Sequence, residues 1–113
     1  MRIYISGKIT GDEKYLQKFM EAQMRLEAEG HQVINPAMMS GVMPGATWGE
    51  YLLNGLNMLR DHAEGVVMLP DWKDSKGACL EYGHATGLEI PVYMYQKEGR
   101  PIFLAGMETM LLE

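Results

Sequence analysis

Gly65-Val66-Val67-Met68-Leu69 is an unbroken apolar run closed by Pro70, and no other segment constrains the fold as strongly. A strand with one face in water alternates polar and apolar residues. A run without alternation suits a strand covered on both faces, as in a parallel sheet flanked by helices. The rest of the chain fits around such a strand. Arg2 to Ser6, His31 to Asn35 and Ile90 to Tyr95 are further short β-like runs, and Pro101 to Leu104 is the candidate for a fifth strand. Between them lie helical patterns. From Asp12 to Glu29, Tyr15, Leu16, Phe19, Met20, Met24, Leu26 and Ala28 fall mostly at three- and four-residue spacing, and Gly30 is placed to stop the helix. Thr47, with Glu50 three residues later, is an N-cap for a second helix to about Asp61, and Lys76 to Gly87 forms a third. Strands alternating with helices predict a three-layer α/β domain whose parallel sheet has four or five strands joined by right-handed crossovers. No Ser-rich or Pro-rich linker divides the 113 residues, so residues 1–113 are expected to form a single domain.

Charge and cysteine usage exclude several classes of function. The net charge of −5 lacks the Lys and Arg excess of a surface that tracks a nucleic-acid polymer. Any phosphate must be met locally. The single cysteine, Cys79, precludes an internal disulfide, and three scattered histidines make a zinc site with it unconvincing, so neither a metal nor another cofactor is expected. No stretch reaches the roughly 18 apolar residues of a membrane span. Met1 to Ile5 runs into a glycine loop without the longer apolar core of a signal peptide. A reducing cytoplasm is the expected compartment. The eleven methionines are expected to fill interiors and contacts.

In a parallel α/β sheet, ligands sit at the carboxyl ends of the strands. Three polar loops are expected to gather there: Ser6 to Gly11, Asn35 to Gly45, and Asp71 to Gly77. The first offers Ser6, Gly7 and Lys8 at a helix N-terminus as an anion cradle, although a glycine turn with no ligand explains it as well. The second, with prolines, glycines and methionines from Pro36 to Ala46, is long enough to act as a lid. Asn35 stands at its start, facing the expected pocket or making a turn. In the third loop Ser75 is a plain N-cap, an anion ligand, or both.

The helix after that loop carries the strongest chemical signal. Positions three and four away from Glu81 are Gly77, Ala78, His84 and Ala85, and three of those four carry almost no side chain. A surface glutamate gains nothing from small neighbours, whereas a carboxylate that must meet a substrate carbon needs cleared space. Glu81 therefore reads as a reactive group. Trp48 and Trp72 suit stacking on a base or closing the edge of the core. His31 reads as a solvent-facing turn residue, His62 as a helix-end cation, and Cys79 as packed rather than reactive. His84, one turn from Glu81, is a weaker candidate for a functional contact.

Tyr4-Ile5-Ser6-Gly7, Ala63-Glu64-Gly65-Val66-Val67 and Ser75-x-Gly77-x-x-x-Glu81-x-Gly83-x-Ala85 resemble the nucleoside 2-deoxyribosyltransferase superfamily, including its nucleoside 5′-monophosphate N-glycosidases. The chain is most similar to a small branch found in phages and bacteria that opens with an Ile-Ser-Gly-Lys-Ile-Thr-Gly-like loop. The resemblance implies a flavodoxin-like sheet, an N-glycosidic bond of a nucleotide or nucleoside as target, and Glu81 as nucleophile. It places the family's first-strand aromatic on Tyr4, and its acid before the third strand on Glu64, where the family usually has aspartate. Asp61 or Asp71 could substitute there. Ser75 falls where nucleotide-cleaving members contact the 5′-phosphate, and Lys8 falls in their phosphate loop, although their arginine two residues on is Thr10 here. A homo-oligomer is also implied, with the apolar Met107 to Leu112 as its contact.

Cleavage of an N-glycosidic bond passes through an oxocarbenium-like state, which an ionised carboxylate beneath C1′ stabilises and can trap as a glycosyl ester. A second acid then protonates the departing base, with Glu64 and Asp71 as candidates. The alternative from the same residues is a nucleotide-binding module or sensor that keeps the fold without catalysis.

Overall fold

The computed structural model describes residues 1–41 and 45–105. Its elements are β1 (Arg2–Ser6), α1 (Tyr15–Ala28), β2 (Gln32–Ile34), a 3-10 segment (Pro36–Gly41), α2 (Trp48–His62), β3 (Gly65–Met68), a 3-10 turn (Trp72–Asp74), α3 (Lys76–Gly87), β4 (Val92–Met94) and β5 (Ile102–Ala105). The chain is thus α/β, with three α-helices and a five-stranded sheet in the order β2-β1-β3-β4-β5. The pairs β1–β2, β1–β3 and β3–β4 are parallel.

The fifth strand departs from the parallel expectation, because β5 runs antiparallel to β4. The connection between Met94 and Ile102 is too short for the helical crossover that a parallel partner requires, and Gly99, at φ +86°, helps it reverse. The apolar ending at Met107 to Leu112 lies outside the described residues, as do residues 42–44 of the expected lid.

The continuous apolar run is covered on both faces as its composition requires. Ile3, Ile5, Val67 and Leu69 pack with Phe19, Ala22 and Leu26 of α1. Tyr4, Val66, Met68 and Val92 pack with Leu59 of α2 and with Ala78 and Ala85 of α3. The period-two alternation of β1 therefore sends Ile3 and Ile5 one way, and Tyr4 and Ser6 the other.

Local chemistry fixes the helix ends. Thr47 and Glu50 close a capping box, each side chain accepting the other residue's amide at 3.2 Å. Ser75 Oγ accepts the Ala78 amide at 3.1 Å at the start of α3. Gly30, at φ +93°, ends α1 in the left-handed region, where the His31 amide reaches back to Leu26. The start of α1 is later than the periodicity suggests, because Asp12 turns the chain first by accepting the Lys14 amide. His31 is half-buried, against the expectation of a solvent-facing residue, and its Nδ1 is enclosed without a hydrogen-bond partner among the described residues. Cys79 is exposed rather than packed, since it sits on the outer face of α3. Among the described residues no helix is long and apolar enough to cross a membrane.

Candidate active site

Tyr4 and Ser6 stand two apart on β1 and face α3, where Glu81 meets both. The Tyr4 hydroxyl donates to Glu81 Oε2, and Ser6 Oγ donates to Oε1 at 2.7 Å. All three side chains are buried: Tyr4 and Ser6 fully, Glu81 to 8% exposure. A carboxyl removed from water resists ionisation, and burial pushes the Glu81 pKa up to about 7, while the hydrogen bonds from Tyr4 and Ser6 pull it down. The same burial, with Glu81's charge and hydrogen bond, raises the Tyr4 phenol well above its ordinary value.

Tyr4 and Glu81 line a cavity of about 420 Å³ at the carboxyl end of β1, and Ser6 is buried behind Glu81 outside the lining. The three loops expected to gather there do so. Gly7, Ile9 and Thr10 follow β1, Pro36, Ala37 and Met39 follow β2, and Ser75 caps α3, in whose first turn Gly77 stands. Side chains on a helix lean toward its N-terminus, so Gly77 and Ala78, one turn before Glu81, border the space over its carboxyl, whereas Ala85 fills the core.

A further clearing comes from a residue that the sequence reading did not single out. A Cβ on Gly55 of α2 would lie 2.5 Å from the Tyr4 hydroxyl and 3.1 Å from Glu81 Oε2. Only glycine lets α2 approach the pair so closely. Its signal was present as a glycine in the middle of a helix, where it costs about 1 kcal/mol relative to alanine. Asn54, Tyr51, Tyr15 and Phe19 also line the cavity without having been singled out for it.

Of the sequence candidates, Tyr4, Ser6, Gly7, Trp48, Ser75, Gly77 and Glu81 are brought together. Glu64 is not. It lies before β3, at the opposite end of the strands from Ser6 and Met68, is exposed, and accepts the Arg2 amide at 2.8 Å. That bond to Arg2 holds its carboxyl below the usual range. Asp71 also lies outside the lining. It accepts the Lys8 amide at 3.2 Å and pairs with Lys18, which also binds Asp12. Lys8 thus contributes its backbone to this clasp, and its side chain does not line the cavity. Lys18 had no sequence signal, because its partner Asp71 is 53 residues away.

Asn35 is spent on local structure. Its Oδ1 accepts the Ala37 amide at 3.0 Å, and its Nδ2 donates to Gln23 at 3.0 Å. Trp72 stacks on Tyr82 at 4.8 Å with 15° between the rings, which removes it from the cavity and leaves Trp48 as the tryptophan that lines it. Among the described residues no three His, Cys, Asp or Glu side chains come together in a way that could hold a metal ion.

Residues 1–94 match the model of a family described as a domain of unknown function, DUF4406, and the chain belongs to that family. No curated protein matches the chain.

Proposed function

We propose that this member of the DUF4406 family cleaves or transfers at the N-glycosidic bond of a nucleoside or nucleotide, with Glu81 as nucleophile. One observation carries the reading: Glu81 is a buried carboxyl, fixed by two hydroxyls, at the wall of a cavity whose volume of about 420 Å³ suits a small molecule. Surface carboxylates are not built this way. Tyr4 and Ser6 occupy one lone pair on each oxygen and leave another free to meet an electrophilic carbon. Ionised Glu81 attacks C1′ as the bond to the base breaks, and water or an acceptor base then displaces the carboxylate. A pKa near 7 keeps a large ionised fraction at neutral pH while making the carboxylate more basic than an exposed one.

The resemblance to the nucleoside 2-deoxyribosyltransferase superfamily supports the same chemistry, and the strand order supports a flavodoxin-like three-layer domain over residues 1–113. The free, exposed Cys79 fits a reducing cytoplasm. A second reading, a binding module without catalysis, is favoured by one observation: Glu64 and Asp71, the two candidate acids, both lie outside the cavity.

Incubation with ribo- and deoxyribonucleosides and their monophosphates, with and without an acceptor base, tests the two readings when free base is followed by chromatography. Base release that Glu81→Gln abolishes is expected. Saturable binding with no release assigns the binding module instead.

A further inference from the structure

Among the described residues, cleavage at Glu81 has no second carboxyl in the cavity to protonate the departing base, and the composition of the cavity wall bears on that gap. Among the described residues Glu81 is the only carboxyl lining the cavity. It cannot serve as nucleophile and acid in one step. No Lys, Arg or His lines the cavity either, and all ten Lys and Arg side chains belong to the described residues. Lys18, which also donates to the Lys8 carbonyl, is committed to Asp12 and Asp71. The rest of the wall is largely aromatic and aliphatic, with rings from Trp48 and Tyr51 of α2 and from Tyr15 and Phe19 of α1.

One carboxylate among aromatic faces, in a chain of net charge −5, attracts cations and repels anions. A 5′-phosphate in this cavity would meet uncharged donors such as the Ser75 hydroxyl, with no cationic side chain in the lining, and would approach Glu81. Ser75, the phosphate candidate, accepts the Ala78 amide as a helix cap and keeps its O–H to donate, but it brings no charge.

Resting on the N-glycosidase reading, we propose that the substrate is an N-glycoside whose base carries a fixed positive charge, such as a pyridinium nucleoside or an N-alkylated purine nucleoside. The step balances without an acid. A Glu81 oxygen forms a bond to C1′, the bond from C1′ to the cationic nitrogen breaks, and its electron pair stays on nitrogen and cancels the charge. The base leaves neutral. Water then attacks C1′, the ester C–O bond breaks, its pair returns to Glu81, and the proton of the water passes to solvent. A neutral base would have to leave as an anion or take a proton from a phenol of the wall, Tyr15 or Tyr51, because among the described residues no carboxyl besides Glu81 lines the cavity.

Paired probes of equal size test the charge. Nicotinamide riboside is compared with its neutral 1,4-dihydro form, and 7-methylguanosine with guanosine, as ribosides and 2′-deoxyribosides, together with the corresponding 5′-monophosphates. Base release is read as the enhancement over each compound's uncatalysed rate. Binding of 1-methylnicotinamide and of nicotinamide is measured alongside by tryptophan fluorescence.

The cationic glycosides should show at least roughly tenfold greater enhancement than their neutral partners, lost in Glu81→Gln, and the methylated cation should bind roughly tenfold more tightly than nicotinamide. Trp48→Leu, at a half-exposed position, should reduce that binding preference without unfolding the chain. Equal or greater enhancement for neutral nucleosides or for monophosphates would overturn the charge assignment and leave the glycosidase reading standing. Release from none of the compounds would overturn both.

Discussion

Replacing Gly55 with alanine tests the geometry of the site most directly, because the effect expected there has the opposite sign to the same change elsewhere in a helix. Alanine is favoured over glycine in a helix interior by about 1 kcal/mol. At Gly83 of α3 no atom lies within 4 Å of the added methyl. Gly83→Ala should therefore stabilise by up to about 1 kcal/mol, raising the thermal midpoint by about 4–8 °C. At Gly55 the methyl meets the Tyr4 hydroxyl at 2.5 Å and Glu81 Oε2 at 3.1 Å. Tyr4 is fully buried and bonded to Glu81, so it yields only by breaking that bond or moving α2. Overpacking costs about 1–3 kcal/mol and loss of a hydrogen bond to a charged group about 1.5–3 kcal/mol. Whichever of the two gives way, set against a helix gain of about 1 kcal/mol, a net destabilisation of up to about 2 kcal/mol is expected. Thermal unfolding of both variants, with the base-release assay on the folded fraction, checks this. A Gly55→Ala protein as stable as Gly83→Ala, with unchanged turnover, would show that α2 does not press on the pair as described.

The pH dependence of stability should carry the signature of Glu81. Its carboxyl is raised from 4.5 to about 7 in the folded chain, so the folded state holds the proton more tightly. The contribution is complete below about pH 4.5 and is lost as pH rises through about 7. Its size is about 3 kcal/mol, and denaturant titrations of Glu81→Gln against the parent should differ in slope over that interval. A parallel pair of curves would mean that Glu81 ionises normally. Tyr4→Phe removes a donor that lowers the Glu81 pKa, so the acid limb of the pH–rate profile should move upward, with turnover reduced at neutral pH. Glu64→Gln should change turnover by less than about threefold, since 1.4 kcal/mol is needed for tenfold and the side chain lies at the other end of the sheet. A hundredfold loss would restore Glu64 to the chemistry.

What could be read from the chain divides along the reach of each signal. Caps and periodicities are local, and Thr47 with Glu50, Ser75 with Ala78, and the buried run at Gly65 to Leu69 were legible because each is decided within a few residues. Tyr4, Ser6 and Glu81 could be nominated separately, but their meeting across 75 and 77 residues is a property of strand order. Glu64 shows how this fails. Glu64 precedes β3, so it stands at the amino end of a strand whose carboxyl end faces the cavity, and residue type alone does not overcome that placement. Trp72 and Asn35 were lost to nearer partners, Tyr82 for one and the Ala37 amide and Gln23 for the other. Such competition is invisible in a list of residue types.

The position of the cavity follows from the strand order. The chain leaves β1 to reach β2 on one side of it, then returns past β1 to β3 on the other side, with α1 packed on one face of the sheet and α2 on the opposite face. The loops after β1 and β2 are drawn apart, and a crevice opens beyond the carboxyl end of β1. The alternate residues at the end of β1 that face α2 and α3 are Tyr4 and Ser6, of which Tyr4 reaches the crevice and Ser6 is buried against Glu81. α3 enters from β3, the neighbouring strand, so a side chain one turn into that helix is brought over them, and that residue is Glu81. Hydroxyls on β1 and a carboxyl on α3 would still be held apart if α2 carried a side chain at Gly55. The topology thus supplies the crevice, the pleat of β1 supplies the two donors, and a single missing Cβ on α2 makes room for them to meet the carboxyl.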